Sequence, residues 1–449
     1  MENSETDLNE SINEETPLQP NQIDFNVNNW NFLLYFSILA NACTVLIPYN
    51  IFVSSYNYYV NYKLKYKDQP INELNKYQQY FISWIGVSCQ SATVFMVLVN
   101  TVSSKINRIS LYKRVMGSMV GILFFCIVSI VLARMDSSEW IPLFFALNVA
   151  LAFITSIATA IYQNSLYGLI SIFPYKYVNG AVLGNNISGF ISTIMLLIAT
   201  KVSKDDSWRQ TYFYLFALIL LIIGAILLNI MIHSILLLFA LGNTDTKIYH
   251  YYKLVDTHEN QNTSTEGVFK KFKFILEKGF DYYIAMFMLY VVTLCIFPAM
   301  LVYRKSPIYE NEQSEYFKTN IVYLNFATFS IVGSWLANYY NKITKNCAIL
   351  FVTIRFLLIL YFIFSNIADI YGNNVNNILN SDGLFGFVCA FTGLTNSFMT
   401  SVLFMKSVKL FQDKHTKEAT MLMSVFLLVG IIVGLLLGTF MIYIVTLCH

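Results

Sequence analysis

Gln163, Asn164 and Ser165 stand side by side in the run YQNSLYG, Tyr162 to Gly168, between FFALNVALAFITSIATAI and LISIFP. A side-chain amide carries donors and an acceptor together, so it can hydrogen-bond a flat polar ligand. Left without a partner in hydrocarbon, the same amide costs several kcal/mol. Polar side chains in such stretches therefore point at partners or at a water-filled cavity. Other apolar runs carry similar insertions. CTVLIPYNIF holds Thr44, Pro48, Tyr49 and Asn50, and GAVLGNNISGF holds Asn185, Asn186 and Ser188. NFATFSIVGSWL holds Asn325, Ser330 and Ser334, a later run holds the charged Arg355, and another holds Thr395, Asn396 and Ser397.

The elements that must position these groups follow from composition. Of 449 residues, 56% are hydrophobic and 12% charged, where a soluble domain carries about 25% charged residues. A bilayer core about 30 Å thick takes roughly 20 apolar residues per helix. Such stretches fall at 31–54, 79–103, 115–134, 141–170, 177–200, 210–235, 280–303, 320–341, 346–368, 384–405 and 418–446. Backbone polar groups in lipid must pair internally, and the runs are too long for barrel strands. The expectation is an all-α polytopic membrane protein with eleven transmembrane helices.

The long polar connection between spans six and seven, with Lys270, Lys271 and Lys273, divides the spans 6+5. Four segments result: an acidic tail, 1–29, free of Lys and Arg and disordered by composition; a six-helix half, 30–241; a linker, 242–278; and a five-helix half, 279–449. Carriers built from two halves bind substrate near the midplane between them. Lys105, Arg108, Lys113 and Arg114, with Lys406, Lys409, Lys414 and Lys417, mark the cytoplasmic side. That places the amino terminus inside and the carboxy terminus outside or in a lumen.

The bland reading of each polar group has its place. A lone Ser or Thr usually bonds back to its own helix. Gly180, Gly184 and Gly189, like Gly430, Gly434 and Gly438, read as close-packing faces. Asn164 is one position round the helix from Gln163, so one of the pair can fix helix contacts while the other meets ligand. Arg355 reads as pairing with helix carbonyls or gate groups. By these boundaries Asp and Glu are absent from the span interiors, Asp281 and Glu418 standing only at span ends, which removes the usual titrating group of coupled carriers and favours downhill transport. No metal or cofactor is expected, and the chain does not read as an enzyme.

In order and spacing, these motifs resemble the equilibrative nucleoside transporter family from about residue 31 onward. TVLIPYNIF is similar to that family's Leu-Pro-Trp-Asn segment, YQNSLYGLISIFP to its Gln-Gly-Ser-Leu-Phe-Gly segment, and GNNISGF to its Gly-Gln-Gly-Leu-Ala-Gly segment. IFPAM, Arg355, LTNSFMTSV and the Gly-rich last span also fit. The resemblance implies a major-facilitator-like fold, alternating access, and a nucleoside or nucleobase as the small-molecule partner, with no nucleic acid polymer and a monomer in the bilayer. The plasma membrane is the expected location over an organelle membrane, although nothing in the residues separates the two. The resemblance puts Gln163 on the base and Tyr49 in the place of the family's stacking Trp, with Pro48, Asn50, Gly184, Gly189, Arg355 and Asn396 as structural or gating residues. Two departures stand out. The family's span-eight Asp and Arg are Ser330 and Ser334 here, and its span-four Gly is Asn164. Substrate contacts are then expected from Tyr49, Gln163, Asn164, Ser165, Asn325, Ser330 and Ser334, with weaker hold on ribose hydroxyls. A carrier of another metabolite or an organic cation on the same fold, or a membrane receptor or scaffold, is the alternative.

Overall fold

A computed structural model of the chain describes residues 28–47, 50–51, 55, 58–67, 75–102, 111–171, 173, 175–203, 205–240, 265–301, 318–340, 342–370, 381–411 and 415–447. Helices α1 to α6 are Asn28–Val45, Lys76–Val102, Leu111–Arg134, Ile141–Ile170, Tyr175–Val202 and Asp206–Ala240. Helices α7 to α11 are Thr265–Cys295, Asn325–Leu336, Lys345–Ile370, Asp382–Leu410 and Thr416–Leu447. Eight helical segments are long and apolar enough to cross a membrane, and they match expected spans three to seven and nine to eleven. The other three expected spans hold shorter apolar helices, Phe32–Val45, Trp84–Val99 and Asn320–Leu336. The chain is an all-helical integral membrane protein. Phe95, Phe124, Ile154 and Leu357 stand outward on the bundle, each more than 60% exposed, an arrangement that only a lipid surround makes inexpensive.

The helices follow from simple rules. At 1.5 Å per residue, α4 is about 45 Å long and spans any bilayer with tilt. A Pro in its first turn loses no hydrogen bond there. Ser381 caps α10 by accepting from Leu384 N, and Thr side chains such as Thr193 and Thr353 bond back to the carbonyl four residues earlier.

Two stretches differ from the sequence expectation. Residues 265–278 form the first turns of α7 instead of belonging to a linker, and Lys271 pairs there with Glu418 of α11 at 2.5 Å. Span seven is not continuous either. A π-helical segment, Ile296–Met300, follows α7, and Phe297 has the non-helical angles φ −103° and ψ 134°. Broken helices at membrane depth occur where protein or a water-filled cavity satisfies the freed backbone. A second π-helical segment, Lys318–Leu324, leads into α8.

Packing uses the glycines. A Cβ at Gly430, Gly434 or Gly438 would come within 2.6 to 2.7 Å of the carbonyl oxygens of Phe287, Val291 and Cys295, so α11 lies directly on α7. Gly393 of α10 faces the Phe326 carbonyl and Gly333 of α8 faces the Leu394 carbonyl, a reciprocal contact. Gly184 faces the Leu39 carbonyl of α1. Gly189 departs from the expectation, because a Cβ there meets nothing within 4 Å among the described residues. Between the first six helices and the last five, α5 packs on α8 and α10, and α11 on α2 and α4.

Candidate functional site

Each polar residue of α4 meets a different neighbour, because successive residues turn by about 100°. Tyr162 turns to α1. Its hydroxyl lies 2.9 Å from Asn41 Oδ1 and 3.2 Å from Thr44 Oγ1, and its ring is fully buried. Asn164, also fully buried, turns to α2 and donates to Val97 O at 3.5 Å. Ser165 is buried as well. Asn164, expected at the ligand, thus makes a helix contact, and Ser165, also expected there, is fully enclosed.

Gln163 lies on the remaining side. Tyr167, one turn further along the same face, shows where that side points. Its hydroxyl accepts from Asn185 Nδ2 of α5 at 3.0 Å. Its ring stacks on Phe404 of α10 with centroids 4.7 Å apart and planes 4° from parallel. Gln163 therefore faces the seam between the first six helices and the last five. Its side chain is 8% exposed, and its amide has no hydrogen-bond partner among the described residues. The expected stacking residue Tyr49 and its neighbour Pro48 lie outside the described residues, as does most of the acidic tail. Asn50 is described, and it donates to Ser188 Oγ of α5 at 3.0 Å.

Helix α5 carries the seam. Asn185 reaches α4, and Asn186 reaches α8, donating to Ser334 Oγ at 2.6 Å. Asn179, two turns nearer the start of α5, donates to Ser334 O and to Asn338 Oδ1, both at 2.9 Å. Gly189 lies between the directions of Asn185 and Asn186, one turn on, so its open space belongs to the seam. Lys409 Nζ sits 3.8 Å from the centre of the Tyr175 ring. These contacts, with the Tyr167–Phe404 stack, gather where α4, α8 and α10 end and α5 begins. They close the seam at that one end.

The two serines of α8 are used differently from the sequence expectation. Ser334 is fully buried, receives Asn186, and donates to Ser330 O at 3.2 Å. Ser330 is 3% exposed and donates to Gly393 O at 3.3 Å. Asn325 donates to Gly386 O at 2.8 Å. All three tie α8 to its neighbours, because the glycine contact brings α8 so close to α10 that little space remains there.

A polar cluster that the sequence did not reveal as a unit joins α7, α9 and α10. Arg355 is 3% exposed. It donates to Thr293 Oγ1 at 2.9 Å, to Thr392 O at 3.4 Å, and to Thr395 Oγ1. Thr293 in turn donates to Asn396 Oδ1 at 2.8 Å. Thr400 donates to the Tyr290 hydroxyl at 3.4 Å. Arg355 thus pairs with a carbonyl and hydroxyls.

At the opposite end of the chain's first helices, Lys63 is buried under Met135. Its ammonium donates to Met135 O at 2.5 Å and lies 5.2 to 6.0 Å from the rings of Tyr58, Tyr62 and Phe144. Desolvation lowers its pKa to about 8.

Comparisons with known proteins agree with this arrangement. A family model described as nucleoside transporter matches residues 148–443. Equilibrative nucleoside transporter 3 of Rattus norvegicus is 27% identical over 197 residues, 43% of this chain, and the match spans 40% of that relative's length. Equilibrative nucleoside transporter 1 of Homo sapiens is 22% identical over 345 residues, covering 73% of this chain and 75% of the relative. Among solved structures, the major facilitator proton:xylose symporter XylE bound to 6-bromo-6-deoxy-D-glucose superposes with a TM-score of 0.58 at 11% identity, covering 93% of this chain and 89% of that one. A bacterial ferroportin homologue in an outward-facing state gives 0.54 at 11% identity. The fold is that of the major facilitators, the family model covers more than half of the sequence, and the chain belongs to the nucleoside transporter family.

Proposed function

We propose that the chain carries nucleosides, or their free bases, downhill across a membrane by alternating access between its first six and last five helices. One observation carries the reading. Gln163 is 8% exposed, within the apolar span of α4, and its amide has no hydrogen-bond partner among the described residues. An amide left so is costly unless a ligand or water meets it. Its paired donor and acceptor suit a base edge. The names of the relatives support the same substrate class. The closed end of the seam supports alternating access, since a carrier shut at one end must open there to release its load.

In this reading the membrane is the plasma membrane, the amino terminus is cytoplasmic, and the monomer is the working unit. The closed end is then the cytoplasmic one. Transport is uncoupled in this reading, because the carboxylates of the expected spans, Asp281 and Glu418, stand at span ends and none at mid-span. Competitive uptake of labelled adenosine, inosine, uridine, adenine and hypoxanthine in transporter-null cells, with and without a protonophore, tests this. Saturable uptake that the protonophore leaves at its initial rate supports it. Absence of saturable uptake for all five overturns it.

A further inference from the structure

Asn185 of α5 has one end of its side-chain amide in use and the other idle. Its Nδ2 donates to the Tyr167 hydroxyl at 3.0 Å, while its Oδ1 is buried and meets no hydrogen-bond donor among the described residues. We infer that Asn185 is a specificity-determining residue, its Oδ1 accepting a hydrogen bond from an N–H or O–H group of the ligand. This deepens the reading of Gln163 as the contact for the base and rests on it.

Tying α5 to α4 needs only the Nδ2 end of the amide. Buried side-chain acceptors are as a rule satisfied, and one left without a donor is costly. The other asparagines of this helix serve a different purpose. Asn186, about 100° round from Asn185, donates to Ser334 Oγ of α8. Asn179 also has an Oδ1 without a donor among the described residues, but it lies within about 20° of the Asn186 direction. Its two bonds, to Ser334 O and Asn338 Oδ1, belong to the closed end of the seam. Asn185 turns instead to α4.

The surroundings of the idle carbonyl suit a ligand. Tyr167, which fixes the amide, is itself held by its stack on Phe404, so the acceptor is set in place before anything binds. Gln163 stands one turn before Tyr167 on α4 and about 40° round the helix. Gly189 stands one turn after Asn185 on α5, again about 40° round, and a Cβ there meets nothing within 4 Å among the described residues. The closed end lies where α4 finishes and α5 starts. Gln163 and Gly189 are therefore both on the far side of the Tyr167–Asn185 bond from it. That bond makes a floor, with the Gln163 amide on one wall and the open side of α5 on the other. Gln163 offers a donor and an acceptor together, whereas Asn185, its NH2 held by Tyr167, offers an acceptor alone. The amino and ring N–H groups of a base and the hydroxyls of a sugar both supply what it lacks. A ligand without that donor leaves the carbonyl unsatisfied and is discriminated against.

Uptake KM values, with surface levels matched, are compared for the best carried of adenosine, inosine and uridine and for analogues that each lack one donor. These are the 2′-deoxy, 3′-deoxy and 5′-deoxy nucleosides and the form whose base has lost its N–H donor. In the parent protein one analogue has a KM about fivefold weaker than the intact nucleoside, and its identity says whether base or sugar supplies the donor. Asn185→Ala raises the KM of the intact nucleoside about fivefold and leaves that analogue unchanged, so the difference disappears. Asn185→Asp keeps an acceptor and preserves the difference, and Tyr167→Phe, which releases the amide, loses part of it. An asparagine that only ties α5 to α4 gives another pattern, in which Asn185→Ala weakens every ligand alike. That pattern, an unchanged KM for the intact nucleoside in Asn185→Ala, or a parent protein indifferent to every missing donor overturns the inference while the Gln163 reading stands. If Asn185→Ala does not reach the surface, Tyr167→Phe decides, and discrimination equal to the parent's overturns the inference. A parent protein that takes up none of the three nucleosides is the separate failure of the underlying reading.

Discussion

Asn186 of α5 donates to Ser334 Oγ of α8 at 2.6 Å, and this bond ties the first six helices to the last five. Asn179 reinforces it one end further along, on the backbone and turn of the same segment. The pair occupies the position at which the family resemblance leads one to expect an Arg reading substrate. Here that position is a latch.

A latch must open for the carrier to turn over. Asn186→Cys with Ser334→Cys places two thiols at this contact. Oxidation should abolish most uptake and a reductant should restore it, while either single variant is insensitive to both. Uptake that persists in the cross-linked protein would show that these helices need not separate. Interhelical hydrogen bonds in membranes are worth about 0.6 kcal/mol on average, so Asn186→Ala should shift the open and closed populations by only about threefold. A thiol-accessibility assay at Asn338→Cys, just beyond the latch, would read that shift as faster labelling.

Two glycines of α5, five residues apart, should behave in opposite ways. Gly184→Ala drives a methyl group into the Leu39 backbone carbonyl, and overpacking of this kind costs about 1–3 kcal/mol. It should lower the melting temperature of the detergent-solubilised protein. Gly189→Ala meets open space and should leave that temperature near the parent's, whereas Gly189→Phe fills the seam and should reduce uptake without reducing stability. A melting temperature that falls as far for Gly189→Ala as for Gly184→Ala would contradict the assignment.

Lys63 supplies a pH dependence with a definite sign. Burial lowers its pKa from 10.5 to about 8, so between these values the unfolded chain holds a proton that the folded protein has released. Stability from this group therefore rises as pH increases from about 8 toward 10.5, and is lost below. Thermal unfolding followed across that window should show the rise in the parent and not in Lys63→Met. An identical slope in both would assign it to another group.

Much of the fold was legible because hydropathy and length are properties of single stretches. The polar side chains of the site were also visible one by one, since an amide in an apolar run is conspicuous. Their partners were not. Gln163 and Asn164 are neighbours in sequence, and only the packing of α4 between α1, α2 and α5 sends one to the seam and the other to Val97. Gly184 and Gly189 look alike in GNNISGF, yet one touches backbone and the other touches nothing. The break at Phe297 left a trace in IFPAM, where Pro298 follows it.

Charge replacement on α8 gives a further check. Ser330→Asp with Ser334→Arg would recreate the family's pair in sequence. In this packing the Arg displaces the Asn186 hydrogen bond and the Asp crowds Gly393. The double variant should lose uptake of every substrate together and not gain preference for ribosylated ones. A selective gain for nucleosides over free bases would show that α8 has room for a substrate contact.

The central claim is that Gln163 receives the base, and uptake by Gln163→Ala tests it most directly. With surface expression matched to the parent, the loss of a hydrogen-bonding pair worth about 1.4 kcal/mol should cut saturable purine uptake about tenfold. Uptake that stays at the parent level in Gln163→Ala would contradict it.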